Sequence, residues 1–310
     1  MVSTTITIIN YSLRIQTPIH IGCGMRIGAL RLTHYRYIPG YTLRGLIGRS
    51  LAMITCSKNI INCQKCREMS NCLYYQLIRS SEHAKVAYFH PADLPRNLQK
   101  KVFTRIAINR KTKIVILEST FSYEALISSR GYIDISSKIV LLGDRRSEAK
   151  VIANAIRSLR GMGLGGRRSW GWGYIESSYM HGIEVQNKSE NTNKLCITLK
   201  TPIPLESGYV FKDLRQAIID TLKSFNISPQ TLRFSLSTFV IRTITHWDET
   251  QAPNGKPLRQ PALSEGTTIK IEGNYESVSA LALAFQYTGV SQNKKWYTGA
   301  GFGLAHVKYI

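Results

Sequence analysis

Cys56, Cys63, Cys66 and Cys72 fall within 17 residues as C-x6-C-x2-C-x5-C, interleaved with Lys58, Lys65 and Arg67. Four thiolates in one short run suit a tetrahedral Zn2+ ion, and neighbouring cations favour deprotonated sulfur. Two disulfides are a lesser reading, because a cytoplasmic chain seldom forms them, and an iron–sulfur cluster is lesser still. The expectation is a structural Zn2+ pinning this run. Cys23 and Cys196 read as ordinary small hydrophobes.

Two further runs combine glycine, cations and aromatics. The first is Gly161-Met162-Gly163-Leu164-Gly165-Gly166-Arg167-Arg168-Ser169-Trp170-Gly171-Trp172-Gly173; the second runs from Gly289 to Gly303 through Lys294, Lys295, Trp296, Tyr297, Gly299 and Gly301. Glycine lets backbone N–H groups approach a phosphate, Arg or Lys adds charge, and Trp or Tyr offers a face on which a base stacks. Wedging of Trp170, Trp172 and Trp296 between helix and sheet is an equal alternative. Each run follows a helical pattern and opens a strand, the reverse of a dinucleotide-binding turn.

The charge agrees with a polyanionic partner. Of 310 residues, 41 are Lys or Arg and 19 are Asp or Glu, a net charge of +22. Such an excess self-repels unless nucleic acid is the usual neighbour. From Met1 to Arg67 there is no acidic residue, so two-metal phosphoryl chemistry, which needs carboxylate oxygens, is excluded from that stretch. A second acid-free tract, Arg96 to Lys113, reads as a phosphate-tracking loop or a solvated one. No apolar run reaches the roughly 18 residues of a membrane span, and the start, Met1-Val2-Ser3-Thr4-Thr5, lacks the charged opening of a signal peptide. A cytoplasmic protein is expected.

The elements that must position these groups recur twice. Ile6 to Ile19 alternates as a strand, Thr42 to Ile54 has helical spacing, Lys113–Tyr123 and Gly131–Leu142 read as strands, Glu148–Leu159 as a helix and Tyr174–Met180 as a strand. After a polar linker at 186–193, the same order follows: strand Leu195–Lys200, helix Asp213–Phe225, strands Arg233–Thr245 and Thr267–Glu272, helix Ser277–Phe285 and strand Gly303–Tyr309. The pattern predicts an α+β protein of two tandem ferredoxin-like (βαββαβ) domains, 1–185 and 194–310. The first carries an irregular insertion at about 55–112 that holds the cysteines.

On these residues the chain resembles the repeat-associated mysterious protein (RAMP) superfamily of CRISPR systems. The resemblance rests on Thr17-Pro18-Ile19-His20-Ile21-Gly22, on Tyr37-Ile38-Pro39-Gly40-Tyr41-Thr42-Leu43-Arg44-Gly45, on Arg105-Ile106-Ala107-Ile108-Asn109-Arg110-Lys111-Thr112, and on both glycine runs. It implies CRISPR RNA and other subunits of a ribonucleoprotein as partners. The RNA contacts it implies are His20, Arg26, Arg31, Arg36, Tyr41 and Arg44 near the first helix, and Arg105, Arg110 and Lys111 on the basic tract. In the loops they are Gly163, Gly165, Gly166, Arg167, Arg168 and Trp170, then Lys294, Lys295, Gly299 and Gly301.

The superfamily contains scaffolds and enzymes. Backbone subunits of type III effectors cut target RNA with an Asp upstream of the first helix; Gly28 to Tyr35 has none. The tract Gly255 to Ile269 resembles the two-domain subunit that caps the crRNA 5′ handle, and this type III effector role is the favoured expectation. The alternative is a repeat-processing endoribonuclease. Its chemistry would be metal-independent attack by a 2′-OH, needing a base, an acid and a cation for the phosphorane. His34 with Tyr37 and Arg44 fits those parts best, with His20 and His246 in reserve.

Overall fold

The computed structural model describes residues 2–34, 36–56, 72–79, 87–108, 115–228, 232–246, 258–290 and 302–309. In chain order its strands and helices are β1 (Val2–Gln16), β2 (Gly22–Ile27), β3 (Leu30–Thr33), β4 (Tyr37–Ile38), α1 (Gly40–Thr55), β5 (Ala87–Phe89), β6 (Ala92–Asp93), β7 (Gln99–Ile108), β8 (Val115–Ile127), β9 (Tyr132–Leu142), α2 (Arg146–Arg157) and β10 (Ile175–Glu190). They continue as β11 (Lys194–Leu199), β12 (Ile203–Pro204), α3 (Val210–Ser224), β13 (Arg233–Thr238), β14 (Ile241–His246), β15 (Leu258–Leu263), β16 (Thr268–Glu272), α4 (Tyr275–Leu283) and β17 (Ala305–Tyr309).

Two four-stranded antiparallel sheets dominate, ordered β10-β1-β9-β5 and β13-β16-β11-β17. In both, the strand that comes first in sequence lies between the last and the third, and the second lies outside the third. Alternation builds the first core: Ile9, Tyr11, Leu13 and Ile15 of β1 are fully buried on one face, against Leu43, Ile47 and Leu51 of α1 and Ile152 and Ile156 of α2. Each such side chain contributes about 1.5–3 kcal/mol of burial. The second core repeats the arrangement with Leu195 and Ile197 of β11, Ile269 and Ile271 of β16, and Leu214, Ile218, Val278 and Leu281 of α3 and α4.

Four elements differ from the sequence expectation. The second strand of the first sheet is β5, in which Ala87, Tyr88 and Phe89 are all buried, too short a run to show a period. The strand expected over Lys113–Tyr123 appears as β8, in a separate sheet ordered β2-β3-β8-β7, so the 55–112 segment also supplies ordered strands. The polar 186–193 run is strand through Glu190, because β1 pairs along its length from Val2↔Glu190 and Thr5 Oγ1 donates to Asn187 Oδ1 at 2.8 Å. An edge strand with its outer face in water carries polar residues without losing its ladder. The run expected as one strand over 233–245 is broken into β13 and β14.

Candidate nucleic-acid interface

The first glycine run folds into a loop closed at its base by the backbone. Leu164 N–H donates to the Gly173 carbonyl at 2.9 Å, and Gly173 N–H to the Pro18 carbonyl at 2.9 Å. Gly173 has φ +66°, and a Cβ there would overlap the Leu164 carbonyl oxygen, so only glycine fits. The second run begins and ends the same way. Val290 N–H donates to Gly303 O at 3.1 Å, Gly303 N–H donates to Pro202 O at 3.0 Å, and Gly303 has φ +71°. Thr17-Pro18-Ile19 thus has a counterpart in Thr201-Pro202-Ile203, a repeat legible in the sequence.

The first loop lies against the segment that carries His20. Gly166 N–H donates to the His20 carbonyl at 2.8 Å, and a Cβ on Gly165 would overlap that same oxygen. His20 is buried; its Nδ1 donates to the Glu124 carbonyl at 2.7 Å, and its ring meets Tyr123 edge-on at 5.4 Å. Burial lowers its pKa, and the nearby Arg167 adds to that. His20 is therefore a neutral support beneath the loop.

Above it stands a cation–aromatic cluster. Alternation along β8 puts Phe121 and Tyr123 on one face, and the antiparallel register sets Phe103 opposite Tyr123 and Arg105 opposite Phe121. Trp170 stacks with Phe121 at 6.5 Å and meets Trp172 at 5.5 Å and 90°. Arg167, at φ 61°, lays its guanidinium 3.8 Å over Tyr123 and 4.7 Å over Trp170; Arg105 lies 5.1 Å over Trp170 and Arg31 5.3 Å over Tyr123. β3 runs parallel to β8 with Arg31 opposite Tyr123, which explains that approach. A guanidinium laid on a ring keeps its N–H edge free to take a phosphate bidentately.

A second group gathers where the two halves meet. His34 Nε2 lies 3.3 Å from Tyr41 Oη, Tyr41 stacks on Phe302, Tyr37 donates to Glu265, and Arg242 pairs with the same Glu265 carboxylate, whose other oxygen accepts from Ser264 at 3.0 Å. Burial, reinforced by Arg242, pushes the His34 pKa down to about 4, and burial pushes the Tyr37 and Tyr41 hydroxyls up. Arg44 donates to the Ile78 carbonyl. In this group the cation paired with Glu265 is Arg242.

The structure thus brings His20, Arg31, Arg105, Gly165, Gly166, Arg167 and Trp170 together, and places His34, Tyr37 and Tyr41 in the neighbouring group. Within the same loop, the Gly163 position is crowded by the Arg168 side chain, and Arg168 itself is exposed, as is Arg36. Arg110, Lys111, Lys294, Lys295, Gly299, Gly301, His246 as a side chain, and the Arg26 side chain lie outside what is described. Of the cysteines, Cys56 follows α1, its N–H donating to Ala52 O at 2.9 Å, and Cys72 accepts from Gln76 N–H at 2.9 Å; both are partly exposed. Cys63 and Cys66 are outside the described residues. Sequence reading missed Phe103, Phe121, Tyr123, Arg242 and Glu265; the alternation Phe121-x-Tyr123 opposite Phe103-x-Arg105 was the available signal for the first three.

Residues 12–176, more than half of the chain, match the RAMP superfamily, and the protein belongs to that superfamily. No curated protein sequence matches it. Similar solved structures include one described as a Cas6-related gene product from Pyrococcus furiosus, 12% identical over 99% of each chain with a TM-score of 0.46. Another is a RAMP protein binding different RNA substrates, 12% identical over 97% of this chain and 99% of that one, TM-score 0.46. A third belongs to a Type III-B Cmr-beta complex bound to cognate target RNA, 12% identical over 84% and 86% of the two chains, TM-score 0.41. Among the described residues no helix is long and apolar enough to cross a membrane.

Proposed function

We propose that this chain binds CRISPR RNA as a subunit of a type III effector ribonucleoprotein, capping or holding the guide rather than cutting it. The observation that carries this reading is the trio Arg31, Arg105 and Arg167 laid over Tyr123 and Trp170 beside the glycine loop. Membership of the superfamily and the net charge of +22 support it. The duplicated strand order and the matching loop bases favour two tandem ferredoxin-like domains, divided near 186–193. The four cysteines are read as holding one structural Zn2+: the thiols of Cys56 and Cys72, partly exposed at the two ends of the 57–71 run, suit that ion.

The second reading, a metal-independent repeat endoribonuclease, is favoured by His34, a neutral imidazole able to accept a proton, placed beside two Tyr hydroxyls and Arg242. One experiment separates the two. The protein is incubated in EDTA with labelled repeat RNA from its host, and binding and cleavage are both measured. Tight, steeply salt-dependent binding with intact RNA is expected; cleavage at one phosphodiester, lost in His34→Ala, replaces the scaffold with the nuclease.

A further inference from the structure

We infer a second contact for single-stranded RNA on the C-terminal half, in the groove between α3 and the edge strand β13. The groove encloses about 730 Å³, with Phe211, Lys212, Arg215 and Gln216 from the helix on one side and Arg233 and Phe234 from the strand on the other. Because α3 commits Leu214, Ala217, Ile218 and Leu222 to the core, positions 211, 212, 215 and 216 form its outward face. Among the described residues β13 is an edge strand, paired with β16, and the groove runs along that edge.

Its chemistry is specific. Phe234 packs on the core as a floor, and Phe211, 56% exposed, stands nearly parallel to it with ring centroids 6.3 Å apart and 24° between planes. Tyr209, two residues before Phe211 at the start of the helix, is 72% exposed. Large aromatic faces left to water beside a groove mark a surface made for a ligand. Lys212, Arg215 and Arg233 surround them, and none forms an ion pair with a described residue. The acids of these elements have other partners: Glu272, opposite Arg233 in the ladder, pairs with Lys194 at 3.4 Å, Asp213 accepts from Ser207 Oγ at 2.7 Å, and Asp220 accepts from Gln216 at 2.8 Å. Stacking faces flanked by uncompensated cations complement a polyanion that carries flat apolar groups, which is single-stranded nucleic acid. An acidic protein segment added to the β13 edge is the competing occupant.

This site rests on the RNA-binding reading, and its test keeps the two apart. Anisotropy titrations with labelled oligouridylate compare the wild type, Phe211→Ala, Phe211→Tyr, Lys212→Glu with Arg215→Glu, and Arg167→Ala, each with a melting curve. Thiouridine-substituted oligomer then maps the cross-linked peptides. Expected are about a tenfold weakening in Phe211→Ala and in the charge-reversed variant, near-normal affinity in Phe211→Tyr, a cross-link at the start of α3, and unchanged melting. If the α3 variants bind as the wild type while Arg167→Ala weakens, the inference fails and the RNA-binding reading stands. If the wild type does not bind, both fail. If the α3 variants lose only a protein partner, the inference is overturned in favour of that partner.

Discussion

Gly173 donates its amide to the Pro18 carbonyl at 2.9 Å, in a position where a Cβ would overlap the Leu164 carbonyl. Gly303 stands in the same relation to Pro202 and Val290. Both loops are therefore pinned to the segment just after the first strand of their own sheet by a residue that must be glycine. Gly173→Ala and Gly303→Ala each combine a strained positive φ with a backbone overlap, and each is expected to cost about 2 kcal/mol or more. Gly45→Ala, in α1 with open space where the Cβ would go, is expected to stabilise by about 0.5–1 kcal/mol. Urea unfolding of the three variants checks this; wild-type stability in Gly173→Ala would mean that the loop base is not as tight as described.

Arg167 couples the loop to the aromatic face, since it touches Tyr123, Trp170 and Phe121 at once. Arg167→Ala should weaken RNA binding about tenfold and reduce the salt slope by about 1, the signature of one lost phosphate contact. Arg167→Lys should recover little, because an ammonium neither spreads over a ring nor forks onto a phosphate. Filter binding across a salt series measures both quantities, and equal affinity for Lys and Arg at this position would reduce the cluster to a point charge.

The parts of this arrangement visible in the sequence are those with a period or a motif. β1, α1, α2, β9 and the helices of the second half follow from apolar spacing, and the glycine runs announce themselves by composition. What was hidden depends on pairing between distant segments. Ala87-Tyr88-Phe89 is three buried residues with no alternation to read. The Arg31–Tyr123 contact needs β3 to run parallel to β8 across some ninety residues of chain. Glu265, paired with Arg242 inside the second half, reaches Tyr37 only because the two halves close on each other. No local window contains such information, whereas the Thr-Pro-Ile repeat at 17 and 201 was legible and marks the floor of both loops.

The cysteine run yields a prediction that does not depend on RNA. Elemental analysis of the purified protein should find one zinc per chain, lost in a Cys63→Ser, Cys66→Ser double variant. Removing the ion should lower the melting temperature, because metal binding to folded ligands contributes directly to folding. Cys23→Ser and Cys196→Ser should leave the zinc content unchanged. A zinc-free protein with wild-type stability would end this assignment.

His90 links acid sensitivity to the junction between the halves. It is buried, its Nε2 donates to the Tyr287 carbonyl at 2.9 Å, and burial, with Lys138 and then Lys200 opposing its charge, pushes its pKa down to about 3. His34 is lowered to about 4 in the same manner. An unfolded histidine titrates near 6.5. Below that value the unfolded chain binds protons that the folded one does not, so stability is full above pH of about 6.5 and declines as pH falls toward the folded values. Each histidine contributes up to about 1.4 kcal/mol per pH unit across that window. His90→Gln keeps a donor for Tyr287 and removes the titration. Urea midpoints measured from pH 7 to pH 5 should therefore fall less steeply in the variant than in the wild type. Equal slopes would place the acid sensitivity in His34 or elsewhere and exclude His90 as its source.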